Sequence, residues 1–181
     1  MTRSLSLLVA SVLAFAALTG CSTAPHTEGG KEDLTKEAQA SVDSAKKNDS
    51  SLEKVLDKAV GYAVFPTVGK GAVGVGGAYG KGVLFEGGKP AGFCDLSQVT
   101  IGIQLGGQSY TEIICFENKE AVDRFKRSEV AFDAQASAVA VKSGAGANAK
   151  YANGVAVFTM AESGLMYEAS LGGQKFSYQA K

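Results

Sequence analysis

Gly69-Lys70-Gly71-Ala72-Val73-Gly74-Val75-Gly76-Gly77-Ala78-Tyr79-Gly80 decides the fold class of this chain. Its first six residues match the glycine spacing of the dinucleotide-binding fingerprint. That fingerprint needs a helix directly after it, so that a phosphate meets the helix N-terminus. Here a β-branched and aromatic pattern runs on through further glycines, so the stretch reads as strand and the match as coincidence. Glycines inside strands mark sharp coiling, bulges or close approach of another backbone. Gly102, Gly106 and Gly107 repeat the signal further on. A sheet with this composition curls toward a small barrel.

Working outward, the same short segments punctuated by glycine predict strands near 62–65, 73–79, 82–86, 89–95, 99–105, 109–116, 132–142, 154–160, 164–170 and 174–179. Glu86-Gly87-Gly88-Lys89 reads as a hairpin, because paired glycines supply the positive φ angles of a tight turn. Asn118 caps a short helix with Glu120 and Asp123 early and Arg124, Lys126 and Arg127 late, each sign at the end the helix dipole favours. Before the strands, Leu34, Ala38, Val42 and Ala45 recur at helical spacing. A second set, Leu52, Val55, Leu56, Ala59 and Val60, follows a break at Asn48-Asp49-Ser50, where Asp49 or Ser50 can cap the second helix. The alanine-rich first stripe either packs lightly on the domain or lies on a membrane. The predicted fold is α+β: an antiparallel, glycine-rich, strongly curved, barrel-like sheet with N-terminal helices and one short inserted helix.

The N-terminus carries an address. Arg3 precedes an apolar run from Leu5 to Leu18, and small residues follow, the marks of a secretory signal peptide. Roughly 14 helical residues cover about 21 Å, too little for a hydrocarbon core of about 30 Å. Leu18-Thr19-Gly20-Cys21 resembles the lipobox of bacterial lipoproteins. The resemblance implies cleavage before Cys21, acyl chains such as palmitate on that residue, and, with Ser22 next instead of Asp, a place in the outer membrane facing the periplasm. Several chains, each contributing about 0.8 kcal/mol per buried methylene, make a stable anchor. The expected organisation is a signal peptide over 1–20, a flexible lipidated tether over 21–32 containing the only histidine, His26, and a domain over 33–181. That domain divides into helices across 33–60 and a β-rich part across 61–181.

The whole chain holds 18 basic and 18 acidic residues, and removal of the signal takes away only Arg3 among them. This balance excludes a nucleic-acid partner, which would require a basic stripe. With no histidine in the folded part, Ser-His-Asp and Cys-His arrangements and histidine metal sites are excluded. Asp95 and Glu112, expected on neighbouring strands, read as the wet face of the sheet. No enzyme activity, catalytic residue, metal site or cofactor is expected. Cys94 and Cys115 invite a disulfide in an oxidising compartment. If 89–116 forms three consecutive strands, however, the two lie about 9–10 Å apart on the outer pair, so both are expected as packed thiols.

Four ordered segments together resemble the SYLF domain, a family of lipid-binding modules. They are Lys58-Ala59-Val60-Gly61-Tyr62-Ala63-Val64-Phe65-Pro66, Gly74-Val75-Gly76-Gly77-Ala78-Tyr79-Gly80-Lys81-Gly82, Gly102-Ile103-Gln104-Leu105-Gly106-Gly107-Gln108-Ser109 and Gly164-Leu165-Met166-Tyr167-Glu168-Ala169-Ser170-Leu171. The resemblance covers about Leu52 to Tyr178. It implies binding of an anionic phospholipid head group or an acyl chain, with Lys70 and Lys81 as the candidate phosphate contacts. Actin, a ligand of some eukaryotic members, is not expected for an exported bacterial chain. The expected function is an outer-membrane-anchored periplasmic lipoprotein that binds phospholipid. The alternative is a structural protein of the envelope that docks to another envelope protein without a lipid ligand.

Overall fold

A computed structural model describes residues 23–73, 75–101, 108–130, 132, 138–163 and 172–181. Cys21, the glycines at 102–107 and the expected strand at 164–170 lie outside them. In chain order the elements are α1 (Glu28–Asn48), α2 (Ser51–Lys58), β1 (Gly61–Val73), β2 (Val75–Glu86), β3 (Lys89–Ile101), β4 (Gln108–Phe116), α3 (Lys119–Lys126), β5 (Val139–Ala140), β6 (Val155–Ser163) and β7 (Gln174–Ala180). The strands form one sheet in the order β5-β6-β4-β1-β2-β3-β7, antiparallel except for the β5–β6 pair. The α+β class and the curved antiparallel sheet are as expected.

The strands run longer than the punctuation suggested. Segments predicted at 62–65, 73–79 and 82–86 fuse into β1 and β2, and β3 extends to Ile101. Pro66 does not end β1 because a register shift falls between Val64 and Thr67 against β2. A bulge is where a missing amide hydrogen costs no ladder bond. The Pro66 carbonyl is in turn held by the Thr111 hydroxyl at 2.8 Å. Opposite this bulge, a Cβ on Gly82 would lie 2.4 Å from the Val64 carbonyl oxygen. Glycine there is a requirement of close backbone approach. The β2–β3 turn is as expected, with Gly87 at φ 55° and Gly88 at φ 74°. Of the strand predicted over 132–142, only Val139–Ala140 is strand among the described residues.

The expected placement of the two cysteines on strands separated by a single middle strand is incorrect. β1 and β2 lie between β3 and β4, because β4 crosses over to the far edge of β1. Cys94 and Cys115 belong to different core layers, and both are buried free thiols.

One layer of core lies between the sheet and the N-terminal helices: Ala38, Val42, Ala45, Leu52 and Leu56 meet Val64, Val83, Phe93, Ile113 and Phe158. Alanine at the contact lets α1 lie close over β1 and β2, so the first helix packs on the domain. It begins at Glu28, earlier than the expected residue 33. Thr27 caps it by accepting the Gly30 amide at 3.1 Å, and Lys31 bonds Glu28 at 2.7 Å. The expected tether is therefore helical from residue 28, and Ala24 is buried.

The other layer fills the concave face. In a flat sheet β1 and β7, three spacings apart, would be about 14 Å from each other. Phe65 and Phe176 nevertheless meet in a tilted pair with ring centroids 5.9 Å apart across that face. The α3 helix, capped by Asn118 accepting the Ala121 amide, inserts Phe125 between Phe116 and Phe176 at 5.1 and 5.3 Å. The sheet curls round these rings without closing, its edges being β5 and β7 among the described residues. Among those residues no helix is long and apolar enough to cross a membrane.

Candidate functional site

Register determines which side chains share the concave face. Lys70 pairs with Gln108 on one side and Ala78 on the other, Ala78 with Gln98, and Gln98 with Gln174. Directly paired residues project from the same face, and Ala78 belongs to the concave core. Four strands thus contribute polar groups, Gln108, Lys70, Gln98 and Gln174, to one lateral row at the glycine-rich end of the curl. The next row inward, Tyr110, Val68, Leu96 and Phe176, is buried.

Beyond Tyr110 on the same strand lies Glu112, with no exposed surface. Gln174, on a strand four places away in the sheet, donates its Nε2 to Glu112 Oε2 at 3.0 Å. Glu112 Oε1 and Gln174 Oε1 are buried and make no hydrogen bond in the described structure. Burial raises the Glu112 carboxyl to about 7 against the opposing hydrogen bonds of Gln174 and Tyr110. Burial, and then the Glu112 charge, push the Tyr110 hydroxyl far above its ordinary range. Gln98 Nε2 donates to the Gly172 carbonyl at 2.7 Å, which holds the chain before β7 against the same row.

A groove of about 670 Å³ opens beside this cluster, with Ser128, Val130, Phe132, Gln174 and Phe176 in its lining. Gln174 joins the two, facing the groove while bonded to the buried carboxyl. Val130, Phe132 and Phe176 form an apolar part of its lining, while Glu129, Gln174, Lys175 and three serines make most of the rest polar, so both parts of an amphiphile meet matching groups.

Lys70 and Lys81 are not brought together. Lys70 is half-buried in the concave row, whereas Lys81 pairs with Thr67 and Asp95 on the opposite face. The Lys81 Nζ donates to the Thr23 carbonyl at 3.2 Å, holding the start of the described chain against the sheet. Asp95 and Glu112 do not form a pair either, being on strands separated by β1 and β2. The expectation that Glu112 belongs to a wet face is corrected by its complete burial. The signal was available in the sequence: Glu112 stands directly before Ile113-Ile114-Cys115-Phe116, a run typical of a strand covered on both faces.

A family model described as "Ysc84: Las17-binding protein actin regulator" matches residues 97–181. The protein named Beta cell expansion factor A, from Aeromonas veronii, is 31% identical over 138 residues, which make up 70% of this chain and 48% of that one. The chain belongs to the SYLF-domain family. It spans about half the length of the curated relative it matches. The span that matches the family model carries Gln98, Tyr110, Glu112 and Gln174 of the SYLF domain, while Lys70 and Lys81 precede it.

Proposed function

We propose that this chain is a lipoprotein anchored through Cys21 to the periplasmic side of the outer membrane, and that its SYLF domain binds phospholipid without catalysing a reaction. The observation that carries this reading is the polar row containing Lys70, set at the end of an apolar concave face with a groove of about 670 Å³ beside it. An ammonium in that row suits a lipid phosphate, since it needs no exact geometry. Val130, Phe132 and Phe176 suit an acyl chain. Lys81 faces the other way, and the head-group role therefore falls to Lys70 alone. The actin named in the description of the family model is not proposed as a partner, because the signal peptide would take the chain away from it.

Flotation of the mature chain carrying Cys21→Ser, with vesicles of anionic or neutral phospholipid, tests the reading. The anionic vesicles should carry the protein. Lys70→Glu should lower the bound fraction about tenfold, in line with loss of a charge-assisted contact of 1.5 to 3 kcal/mol, while Lys81→Glu should leave it nearly unchanged. Absence of flotation with both lipids overturns the reading.

A further inference from the structure

The described chain begins pressed against the sheet. Thr23 gives its carbonyl to Lys81, and Ala24, 2% exposed, donates its amide to Gln179 Oε1 at 3.3 Å. Gln179 pairs with Phe93, and Lys81 pairs with Asp95. Passing from Ala24 back to Thr23, the chain therefore moves across the face that α1 covers, one step toward the glycine-rich end. The next positions in that direction on the same face are Tyr79, paired with Ser97, and Val99, paired with Gly77. Both are exposed, Tyr79 at 48% and Val99 at 71%. Ser97 pairs in turn with the exposed Lys175. An aromatic, an aliphatic and a cationic side chain thus share one face.

Cys21 is two residues from Thr23, so its Cα lies within about 7 Å of a fixed point on that face. This is about the thickness of one head-group layer. We infer that the Tyr79–Val99 face rests on the leaflet that holds the Cys21 acyl chains, so the domain is pinned in one orientation with its glycine-rich end against its own membrane. The inference rests on the anchor reading of Cys21 and is independent of head-group binding by Lys70. Its occupant is the anchoring leaflet, chosen by the covalent reach of Cys21. Tyrosine at a lipid–water interface, with lysine beside it, is the chemistry that leaflet accepts.

The chain contains no tryptophan, which gives a clean optical test. The processed, lipidated protein is placed in vesicles whose acyl chains are brominated near the head group, with Tyr79→Trp, Val99→Trp or, as a control, Lys150→Trp on an exposed site. The two face variants should lose at least about half of their emission relative to unbrominated vesicles, as a ring seated in the interface would. Lys150→Trp should keep its emission. A flexible insertion between Ser22 and Thr23 should restore emission to the face variants. Unquenched emission from both face variants, in protein that floats with the vesicles, overturns the orientation. Failure of the processed protein to float while the Cys21→Ser chain behaves identically overturns the anchor reading, and the orientation with it.

Discussion

Glu112 is the residue at which the core departs from apolar packing. Its carboxyl titrates near 4.5 when free and at about 7 when buried. Below about 4.5 both folded and unfolded chains hold the proton, and the group does not alter stability. Between these values the native state keeps a proton that the unfolded state has released, so stability falls as pH rises. At about 1.4 kcal/mol per unit the full cost above pH 7 is about 3 kcal/mol. Glu112→Gln should remove this slope and make the protein more stable than the parent at pH 8. Denaturant unfolding of both proteins at pH 5 and pH 8 checks it, and parallel pH profiles would contradict the assignment. Gly82 is the second sensitive position. A Cβ there would meet the Val64 carbonyl, so Gly82→Ala should cost about 2–4 kcal/mol in the same measurement.

At the scale of elements, Asp49 joins three pieces of chain. Its Oδ1 accepts the Ser51 amide and hydroxyl and the Gly144 amide, and Oδ2 accepts the Gly146 amide at 2.6 Å. Burial opposes the charge, but these donors outweigh it and hold the carboxyl below its ordinary value. With the native pKa depressed, the stabilisation is present above the unfolded pKa and is lost as pH falls through the native one. Asp49→Ala leaves buried amides unsatisfied and should cost about 2–4 kcal/mol. Hydrogen exchange should then show the 144–148 loop opening before the sheet, and a loop protected as in the parent would contradict the joint.

Capping at Asp49 was legible because the residue breaks two apolar periodicities. The bond to a loop far along the chain was not, since nothing local in Gly144-Ala145-Gly146 names its partner. The strand lengths failed for a related reason. Glycine and proline ordinarily punctuate, but opposite a bulge they are what lets two long strands continue side by side.

For the whole molecule, sequence pattern revealed the class and the curl, through glycines that fit only a tightly coiled sheet. It did not reveal strand order, because the placement of β4 beside β1 is decided by long-range pairing. Nor did it show that Lys70 and Lys81 face opposite ways, which follows from register. The two thiols offer a test of how the layers unfold. Burial raises the Cys115 thiol to about 12 and Cys94 well above its ordinary value, and each lies in a different layer of core. If the layers unfold as one, a thiol reagent should modify both at a single rate that matches global unfolding. Faster modification of Cys115 alone would mean that the helices lift from the sheet while the concave core stays closed.

The bond between Gln174 and Glu112 also bears on the order in which the chain is made. Glu112 enters the growing polypeptide 62 positions before the amide that serves it. Until β7 arrives, the concave face has a carboxyl that lacks its Gln174 donor and rings that lack Phe176. A nascent domain therefore has a reason to stay open, and curling becomes favourable when the last strand is delivered. Closure of the curl thus waits on the last strand, and a chain that ends before residue 174 would lack the piece that makes burying Glu112 tolerable.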